Sequence, residues 1–368
     1  MKPTYLAAAF CALCWSSQVH ATGVLDSQVD DFDKVQKEET LGLRNGSVVV
    51  APIPFSNPTI GSGLVLGAGY LFNIDEGSDP SLLGLAALRS DNGSEGYGLA
   101  ANFYFNNNRW QIETLFANAA VNYDLYTPAA ALPISQSGIL ARASLSYGFT
   151  HDASLGLSLR YLNTDINPAV PGLPPIPPPF NQFLNVEIAN VGFVGKWDTR
   201  DDTIYPSKGF IVDGEVTRGY TLAGVTDDYS KGWINFTHYM QPFERAVIAT
   251  RLSTCAVSTS TPFFDQCSLG GTDGFRGFSA TQFLDFRSLS AQIEFRRQFT
   301  DRLGAIAFAG VGMVGPQFND LKIGGTHSSY GLGARYRVSK KFPVDFSVDY
   351  SRNSEREDQL YIYVGQRF

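Results

Sequence analysis

The 368-residue sequence has few histidines, few cysteines and no long apolar run after its first 21 residues. None of its four histidines belongs to a nucleophile or metal-binding motif, and no phosphate-binding glycine motif stands beside a helical pattern. The net charge of -7 argues against nucleic-acid binding. We therefore expect a protein that is not an enzyme, needs no cofactor or metal, and does not bind nucleic acid.

The N-terminus has the pattern of a secretory signal peptide. Lys2 precedes a short apolar stretch that ends at Trp15, and the ending Val19-His20-Ala21 resembles a cleavage site. The apolar stretch is much shorter than the roughly 20 residues that a membrane-spanning helix needs. The sequence therefore predicts an exported protein whose residues 1–21 are removed.

The composition and the alternation of residues indicate strands. The sequence is 44% hydrophobic and 13% aromatic, and it contains 36 glycines. Every second residue from Tyr330 to Val338 is apolar, and the residues between them are glycine or arginine. The segments Leu289–Arg296 and Val344–Ser351 alternate in the same way. This alternation predicts strands with one apolar face, which fits a soluble sheet or a membrane barrel.

Sixteen strands are predicted along the chain. Their approximate ranges are 47–55, 60–73, 81–90, 94–105, 109–121, 137–149, 153–164, 183–197, 208–220, 228–240, 243–255, 284–298, 303–314, 327–339, 342–352 and 359–368. Most connections after even-numbered strands are tight, whereas those after odd-numbered strands include the long ones, 122–136, 165–182 and 256–283. Short periplasmic turns and long external loops are typical of outer-membrane barrels. The predicted fold is an all-β, transmembrane, antiparallel β-barrel over residues 47–368.

Two motifs carry a family resemblance. The first, L-G-G-T-D-G-F-R-G-F, runs from Leu269 to Phe278 in the longest predicted external loop. The second begins as W-D-T-R-D-D at Trp197 and ends as Y-P-S-K-G at Gly209, between predicted strands eight and nine. In these motifs and their positions the chain resembles the BamA/TamA-type outer-membrane assembly barrels, the bacterial surface antigen superfamily. The resemblance covers roughly residues 47–368.

The resemblance implies a function and a set of partners. It implies a barrel in the bacterial outer membrane that inserts or translocates polypeptide or lipid. The implied partners are outer-membrane lipid and lipopolysaccharide, the barrel assembly machinery that inserts the protein itself, and a polypeptide or lipid client. A passive or plugged solute channel is the alternative. Residues 22–46 are expected to be a short acidic periplasmic segment, too short for a POTRA domain, so the chain resembles the POTRA-less branch.

In the resembling family the long loop folds into the lumen, where its arginine meets a carboxylate on the barrel wall. Arg276 of the lumen-loop motif Phe275, Arg276, Gly277 and Phe278 would have this role, because burying it without a partner would cost several kcal/mol. The family's usual partner is an Asp within F-x-D-x-G, but this chain has Gly310 there. Contact with backbone carbonyls or water in an open lumen is an alternative. The candidate carboxylate partners are Glu294 first, then Asp349 and Asp345.

The second motif is interpreted structurally. Its charged residues Asp198, Arg200, Asp201 and Asp202 are expected to pair with one another, while Pro206 and Gly209 shape the chain reversal.

Two prolines mark the first predicted strand. Pro52 and Pro54 lack amide hydrogens and, being two residues apart, weaken the same strand edge. If 47–55 is the first strand, this edge should face the last strand and form a weak seam, as a lateral gate would require. Alternatively, 47–58 leads into the barrel and the sheet begins near Ile60.

Two cysteines lie outside the predicted leader, which contains Cys11 and Cys14. In an oxidising compartment Cys255 and Cys267 favour a disulfide over a metal site, and it would clip the base of the long loop.

The chain ends in an aromatic residue. Gly365 and Phe368, at the end of the last predicted strand, resemble the C-terminal signal that bacterial barrels present to their assembly machinery. A proline-rich run from Pro168 to Pro179 predicts a stiff external loop in polyproline conformation.

Overall fold

The computed structural model describes residues 47–127, 130–169, 184–203, 205–271, 275–337 and 345–368. The predicted leader and the segment 22–46 lie outside these residues, as does the proline-rich run beyond Ala169. In the described part of the chain, sixteen antiparallel strands close into one barrel, which confirms the predicted fold class. No helix within those ranges is long and apolar enough to cross a membrane.

The barrel strands follow one another around the wall in chain order. They are β1 (Ser47–Asn57), β2 (Gly61–Phe72), β3 (Ser81–Ser90), β4 (Glu95–Phe105), β5 (Trp110–Tyr126), β6 (Ala131–Gly148), β7 (Ala153–Pro168), β8 (Asn185–Asp198), β9 (Gly209–Ala223), β10 (Tyr229–Phe243), β11 (Ala246–Val257), β14 (Arg287–Gln298), β15 (Leu303–Gly315), β16 (Thr326–Arg337), β17 (Asp345–Asn353) and β18 (Asp358–Val364). The two-residue strands β12 (Cys267–Ser268) and β13 (Leu284–Asp285) pair inside the loop between β11 and β14.

The predicted loop 122–136 is wrong, because β5 continues to Tyr126 and β6 begins at Ala131. The predicted loop 165–182 also starts too early, because β7 continues to Pro168. In both places polar and apolar residues continue to alternate, but the polar residues now point outward and the apolar residues inward. Along the periplasmic half of β7 the exposed residues are Leu155, Leu157 and Leu159, whereas farther along they are Asn163, Asp165 and Asn167.

This reversal marks where the strands leave the lipid. An exposed leucine row is favourable only against hydrocarbon, and an exposed row of Asn and Asp only against water. The inward residues reverse in step, since Ser158 lies in the membrane half and Ile166 lies above it, both buried. Ile166 joins an apolar cluster with Ile134, Val186 and Ile188 of the neighbouring strands. The upper parts of β5 to β8 therefore enclose an apolar core, as in a soluble protein.

The turns on the opposite end are tight. Asn106, Asn107 and Asn108 all have positive φ angles of 55–59° between β4 and β5. Asparagine adopts this left-handed region more readily than other non-glycine residues. Three successive asparagines therefore reverse the chain without a longer loop.

The seam between β1 and β18 is weakly paired. β1 pairs with β2 along its whole length, from Ser47–Leu71 to Asn57–Gly61, so the idea that the sheet begins near Ile60 is wrong. By contrast, β1 and β18 share a single register pair, Ser56 with Ile362. Continuing that register would set Pro54 opposite Val364, the residue at which β18 ends.

The end of the chain corrects another expectation. The predicted strand 359–368 stops at Val364, and Gly365 has a φ of 92° that turns the chain out of the sheet. Phe368 is buried and packs with Tyr239 and Ala249 of β10 and β11. The terminal aromatic therefore lies inside the barrel, beyond the end of the last strand, and does not close that strand.

The lipid boundary on β7 can be tested with two arginine substitutions of outward residues. Leu157→Arg should lower the unfolding free energy by about 2–4 kcal/mol, and Asn163→Arg by about 0–1 kcal/mol, as arginine does at the centre and edge of a bilayer. Guanidinium unfolding in phosphatidylcholine vesicles measures both. Equal losses would contradict the boundary near Tyr161.

Candidate functional site

The long loop between β11 and β14 fills part of the lumen. We call residues 258–269 its stem and residues 275–282 its tip. The disulfide between Cys255 and Cys267 joins the end of β11 to the stem. The strand pair β12–β13 holds the outgoing and returning parts of the loop together. Phe275, Arg276 and Phe278 of the tip are each no more than 1% exposed, so the tip is fully inside the barrel.

Arg276 lies between two carboxylates of the barrel wall. Its Nη2 donates to Glu294 Oε2 of β14 at 2.5 Å, and its Nη1 donates to Asp349 Oδ2 of β17 at 2.8 Å. Both carboxylates are completely buried. The first two predicted partners thus bind the arginine together, and two charge-assisted bonds offset part of its desolvation.

Asp345, the third predicted partner, does not contact Arg276. Its carboxylate accepts from Arg337 Nε at 3.2 Å and from Gln366 Nε2 at 3.0 Å. Asp345 is on the inward face of β17, like Asp349, but it lies four residues closer to the periplasmic end. At about 3.3 Å per residue, that places it some 13 Å along the strand from Asp349.

Two further arginines complete the charge cluster. Arg296 Nε donates to Glu294 Oε1 at 2.7 Å, and Arg335 Nη1 donates to Asp349 Oδ1 at 2.5 Å. Tyr363 of β18 donates its hydroxyl to Asp349 Oδ2 at 2.7 Å. Each buried carboxylate therefore keeps a cationic partner of its own on the wall, independent of the loop.

Aromatic rings and small residues shape the space around the guanidinium. Arg276 Cζ lies 3.7 Å from the centre of the Phe308 ring and 5.2 Å from that of Phe368. A Cβ atom on Gly310 would lie 2.8 Å from the Phe275 ring. Where the resembling family has its Asp, this chain has a glycine, and the space beside it is occupied by the Phe275 ring and by Gln292 Cγ, which would also lie 2.8 Å from that Cβ atom.

The backbone of the tip is also bound to the wall. Gly277 N donates to the hydroxyl of Tyr361 on β18 at 2.7 Å. Ser329 Oγ donates to the carbonyl of Arg276 at 2.5 Å, and Asn353 Nδ2 donates to the carbonyl of Gly277 at 2.8 Å. The tip is therefore recognised through its backbone by three strands, β16, β17 and β18.

The second motif forms a turn at the periplasmic end. Arg200 Nη2 and Nε donate to the two oxygens of Asp198 at 2.7 and 2.8 Å. Burial alone would raise the pKa of Asp201, but donors from the Ser207 hydroxyl and the amides of Ser207 and Lys208 hold that pKa below its ordinary value. The turn reaches across the barrel, since the Tyr205 ring lies 4.5 Å from the Arg337 guanidinium of β16.

The three histidines in the described part of the chain do not form a site. His151 contacts Asp152, His238 stacks on Phe236, and His327 stacks on Phe283. Within the described ranges, no three His, Cys, Asp or Glu side chains are grouped so as to hold a metal ion.

Sequence reasoning missed several residues of this site, among them Tyr361 and Tyr363. Tyr361 and Tyr363 alternate with Leu360, Ile362 and Val364, which already assigned them to the face opposite the lipid. Asp265 in the stem, an acid preceded by two phenylalanines, was a further signal, since an acid placed in a lumen needs cations around it.

Removing the loop arginine should free the tip and leave the barrel folded. Glu294 and Asp349 keep Arg296 and Arg335, so we expect Arg276→Ala to cost no more than the about 3–5 kcal/mol typical of a broken buried pair. In planar bilayers the single-channel conductance should rise above that of the wild type and of the control Arg337→Ala. Equal conductance of Arg276→Ala and Arg337→Ala would contradict this assignment.

Placing the family's acid at position 310 should not stabilise the docked loop. We expect Gly310→Asp to clash with the Phe275 ring and the Gln292 side chain and to lower the unfolding free energy, and Phe275→Ala to relieve the part of the clash that the ring causes. The double variant should then lose less than the sum of the single losses, by about 0.5–3 kcal/mol. Additive losses would show that the ring does not exclude the carboxylate.

Many solved structures resemble this fold, among them BamA and CdiB proteins. BamA from Haemophilus ducreyi lacking POTRA domains 1–3 has a TM-score of 0.58 and 15% identity, with 93% of this chain and 78% of that chain covered. CdiB from Acinetobacter baumannii has a TM-score of 0.58 and 10% identity, with 90% of this chain and 60% of that chain covered. CdiB from Escherichia coli has a TM-score of 0.59 and 11% identity, with 92% of this chain and 70% of that chain covered.

The sequence comparisons agree with the fold. None of the curated proteins matches this sequence. The family model of the Omp85 superfamily domain matches residues 83–368, which include β4 to β18 and the whole loop with Arg276. The chain therefore belongs to the Omp85 superfamily.

Proposed function

We propose that this protein inserts or translocates polypeptide at the bacterial outer membrane, with the seam between β1 and β18 as the place where a client engages. The observation that carries the proposal is the contrast between the two edges of β1. One edge pairs with β2 over eleven residue pairs, and the other pairs with β18 at Ser56 alone. A strand edge with free backbone groups is a template for another strand.

Two features of the seam strands limit the pairing between them. Pro52 and Pro54 have no amide hydrogen to donate. On the other side, the chain leaves the sheet after Val364 and enters the lumen. A client strand could therefore pair with the periplasmic half of β1 without first breaking a ladder.

The loop inside the lumen favours a pathway through the barrel that opens only when the loop moves, over one that is permanently open. The Arg276 site places the loop tip inside the barrel, and a buried ion pair of this kind is costly to leave half-made. A plugged solute channel shares this feature, but it does not need an unpaired strand edge. The surrounding partners in this proposal are outer-membrane lipid and lipopolysaccharide, with the barrel assembly machinery needed for the protein's own insertion.

A seam lock tests the proposal. Ser56→Cys with Ile362→Cys joins the single register pair across the seam, and Ser56→Cys with Ser62→Cys joins a pair in the continuous β1–β2 ladder. Each variant is reconstituted in liposomes with an urea-unfolded eight-stranded barrel as the client. Folding of the client is followed by its heat-sensitive migration in gels.

We expect wild type and the oxidised β1–β2 control to accelerate client folding, and the oxidised seam variant to lose this effect until it is reduced. Equal acceleration by the locked seam would reject the seam as the client site. No acceleration by the wild type would reject polypeptide insertion. A large, steady wild-type conductance would then identify the channel alternative.

A further inference from the structure

The loop tip contacts both sides of the seam. On the β18 side, Gly277 N bonds to the Tyr361 hydroxyl, and Gln282 Nε2 donates to Glu357 in the β17–β18 turn at 2.9 Å. On the β1 side, Ala280 N donates to Thr59 Oγ1 at 3.0 Å, and the hydroxyls of Ser279 and Thr59 are 3.3 Å apart. The tip thus crosses the seam from inside, near its extracellular end.

The contact on the β1 side is firmly placed. Thr59 lies in the turn between β1 and β2, where Asn57 Oδ1 accepts from the amides of Thr59 and Ile60, each at 3.0 Å. Ile60 is completely buried in the apolar core of the barrel. A bond to Thr59 therefore restrains β1 itself and not a loose loop.

The stem of the loop is held elsewhere. Asp265 is fully buried and accepts from Arg160 Nη1 of β7 at 3.0 Å, from Lys231 Nζ of β10 at 2.9 Å, and from the Tyr229 hydroxyl. Burial alone would raise the pKa of Asp265, but these two cations hold that pKa below its ordinary value. Asp265 therefore remains an anion between two cations.

Apolar packing and a covalent bond add to this anchor. Phe264, next to Asp265, is buried in the apolar core above the membrane with Ile166 and Ile188. The disulfide fixes Cys267 to β11. The stem is thus bound on the β7–β11 side of the barrel, and the tip is bound on the side of the seam.

Gly270 and Gly271 follow the stem, and the tip packs back on this part of the loop, since Gly271 N donates to the carbonyl of Phe278 at 3.1 Å and the Ser268 hydroxyl of the stem donates to the carbonyl of Ala280. A Cβ atom on Gly270 would lie 2.1 Å from the carbonyl oxygen of Ser279, and Gly271 has a φ of 90°. Any side chain at position 270 would clash with that oxygen, and glycine adopts the positive φ at position 271 without strain. Release of the tip therefore has to break these bonds to the stem, whereas the stem keeps its own bonds to the barrel wall.

We propose that the tip is a strap that holds the seam closed from inside, and that Asp265 anchors the stem so that release of Arg276 frees the strap alone. The strap adds to the single register pair of β1 and β18 at the extracellular end of the seam. Its release loosens the seam directly, so that the plug and the seam open together. This inference deepens the proposed function, since it names the element that controls the client site.

The closed state of the seam can be measured without any client. The rate of disulfide formation in Ser56→Cys with Ile362→Cys reports how often the two strands are in register. Thr59→Val and Tyr361→Phe each remove strap bonds on one side of the seam. Thr254→Val and Tyr123→Phe are matched controls outside the tip, because Thr254 bonds to Ser288 of β14 and Tyr123 to Gln136 of β6.

We expect Thr59→Val and Tyr361→Phe to slow the disulfide formation by about fivefold, the ratio that follows from losing one ordinary hydrogen bond. Arg276→Ala should slow it further, and the two controls should leave it unchanged. Unchanged rates in Thr59→Val and Tyr361→Phe, or equal slowing in the controls, would overturn the strap. A strap that passes this test while client folding is not accelerated would reject only the proposed function.

The anchoring role of Asp265 has its own readout. Ser279→Cys reports on the tip and Thr261→Cys on the stem, and both positions are buried. In Arg276→Ala we expect maleimide to label position 279 and to leave position 261 protected. In Tyr229→Phe or Asp265→Asn, position 261 should become reactive as well. Equal labelling of both positions in Arg276→Ala alone would show that the loop moves as one body and would overturn the anchor.

Discussion

The burial of Arg276 sets the conditions for the lumen around it. Desolvating one guanidinium costs several kcal/mol, and so does each carboxylate brought in to meet it. Glu294 and Asp349 are therefore compensated in turn by Arg296 and Arg335, and opposite charges alternate across three strands of the wall. Glycine at position 333 makes room for this arrangement, because a Cβ there would lie 2.0 Å from Asp349. The loop docks at one depth, since only there do both carboxylates face it.

The position of this site beside the seam gives it a consequence beyond plugging. Tyr363 binds Asp349 and Tyr361 binds Gly277, so β18 is held largely by inward tyrosines and by β17. Any equilibrium that moves the tip must then also change the freedom of β18. If the docked tip weakens the binding of a client strand to β1, then by linkage the bound client strand weakens the docking of the tip by the same free energy. The plug and the seam form one energetic unit.

Much of the barrel could be predicted from alternation, because inward and outward residues differ wherever one face meets lipid. The same rule ended β5 and β7 too early, since above the membrane the polar face turns outward and the apolar face inward. Alternation assigned Glu294, Asp349 and Asp345 to the lumen. It shows which face of the strand a residue is on, but not how far along the barrel axis the residue lies. Depth depends on the register with neighbouring strands, which is why Asp345, opposite Arg337, could not be excluded. The inward turn at Gly365 depends on tertiary packing of Phe368 and has no local signal in the sequence.

The glycine at position 310 follows from how this barrel distributes charge. In the resembling family one strand supplies the acid for the loop arginine. Here the equivalent strand, β15, supplies the ring of Phe308 to one face of the guanidinium, and the acids come from β14 and β17. A carboxylate at position 310 would add a third anion beside the tip and would displace Phe275 from its contact. The loss of that acid is therefore compatible with the same docking of the loop, because the two flanking acids and the aromatic face satisfy the arginine without it.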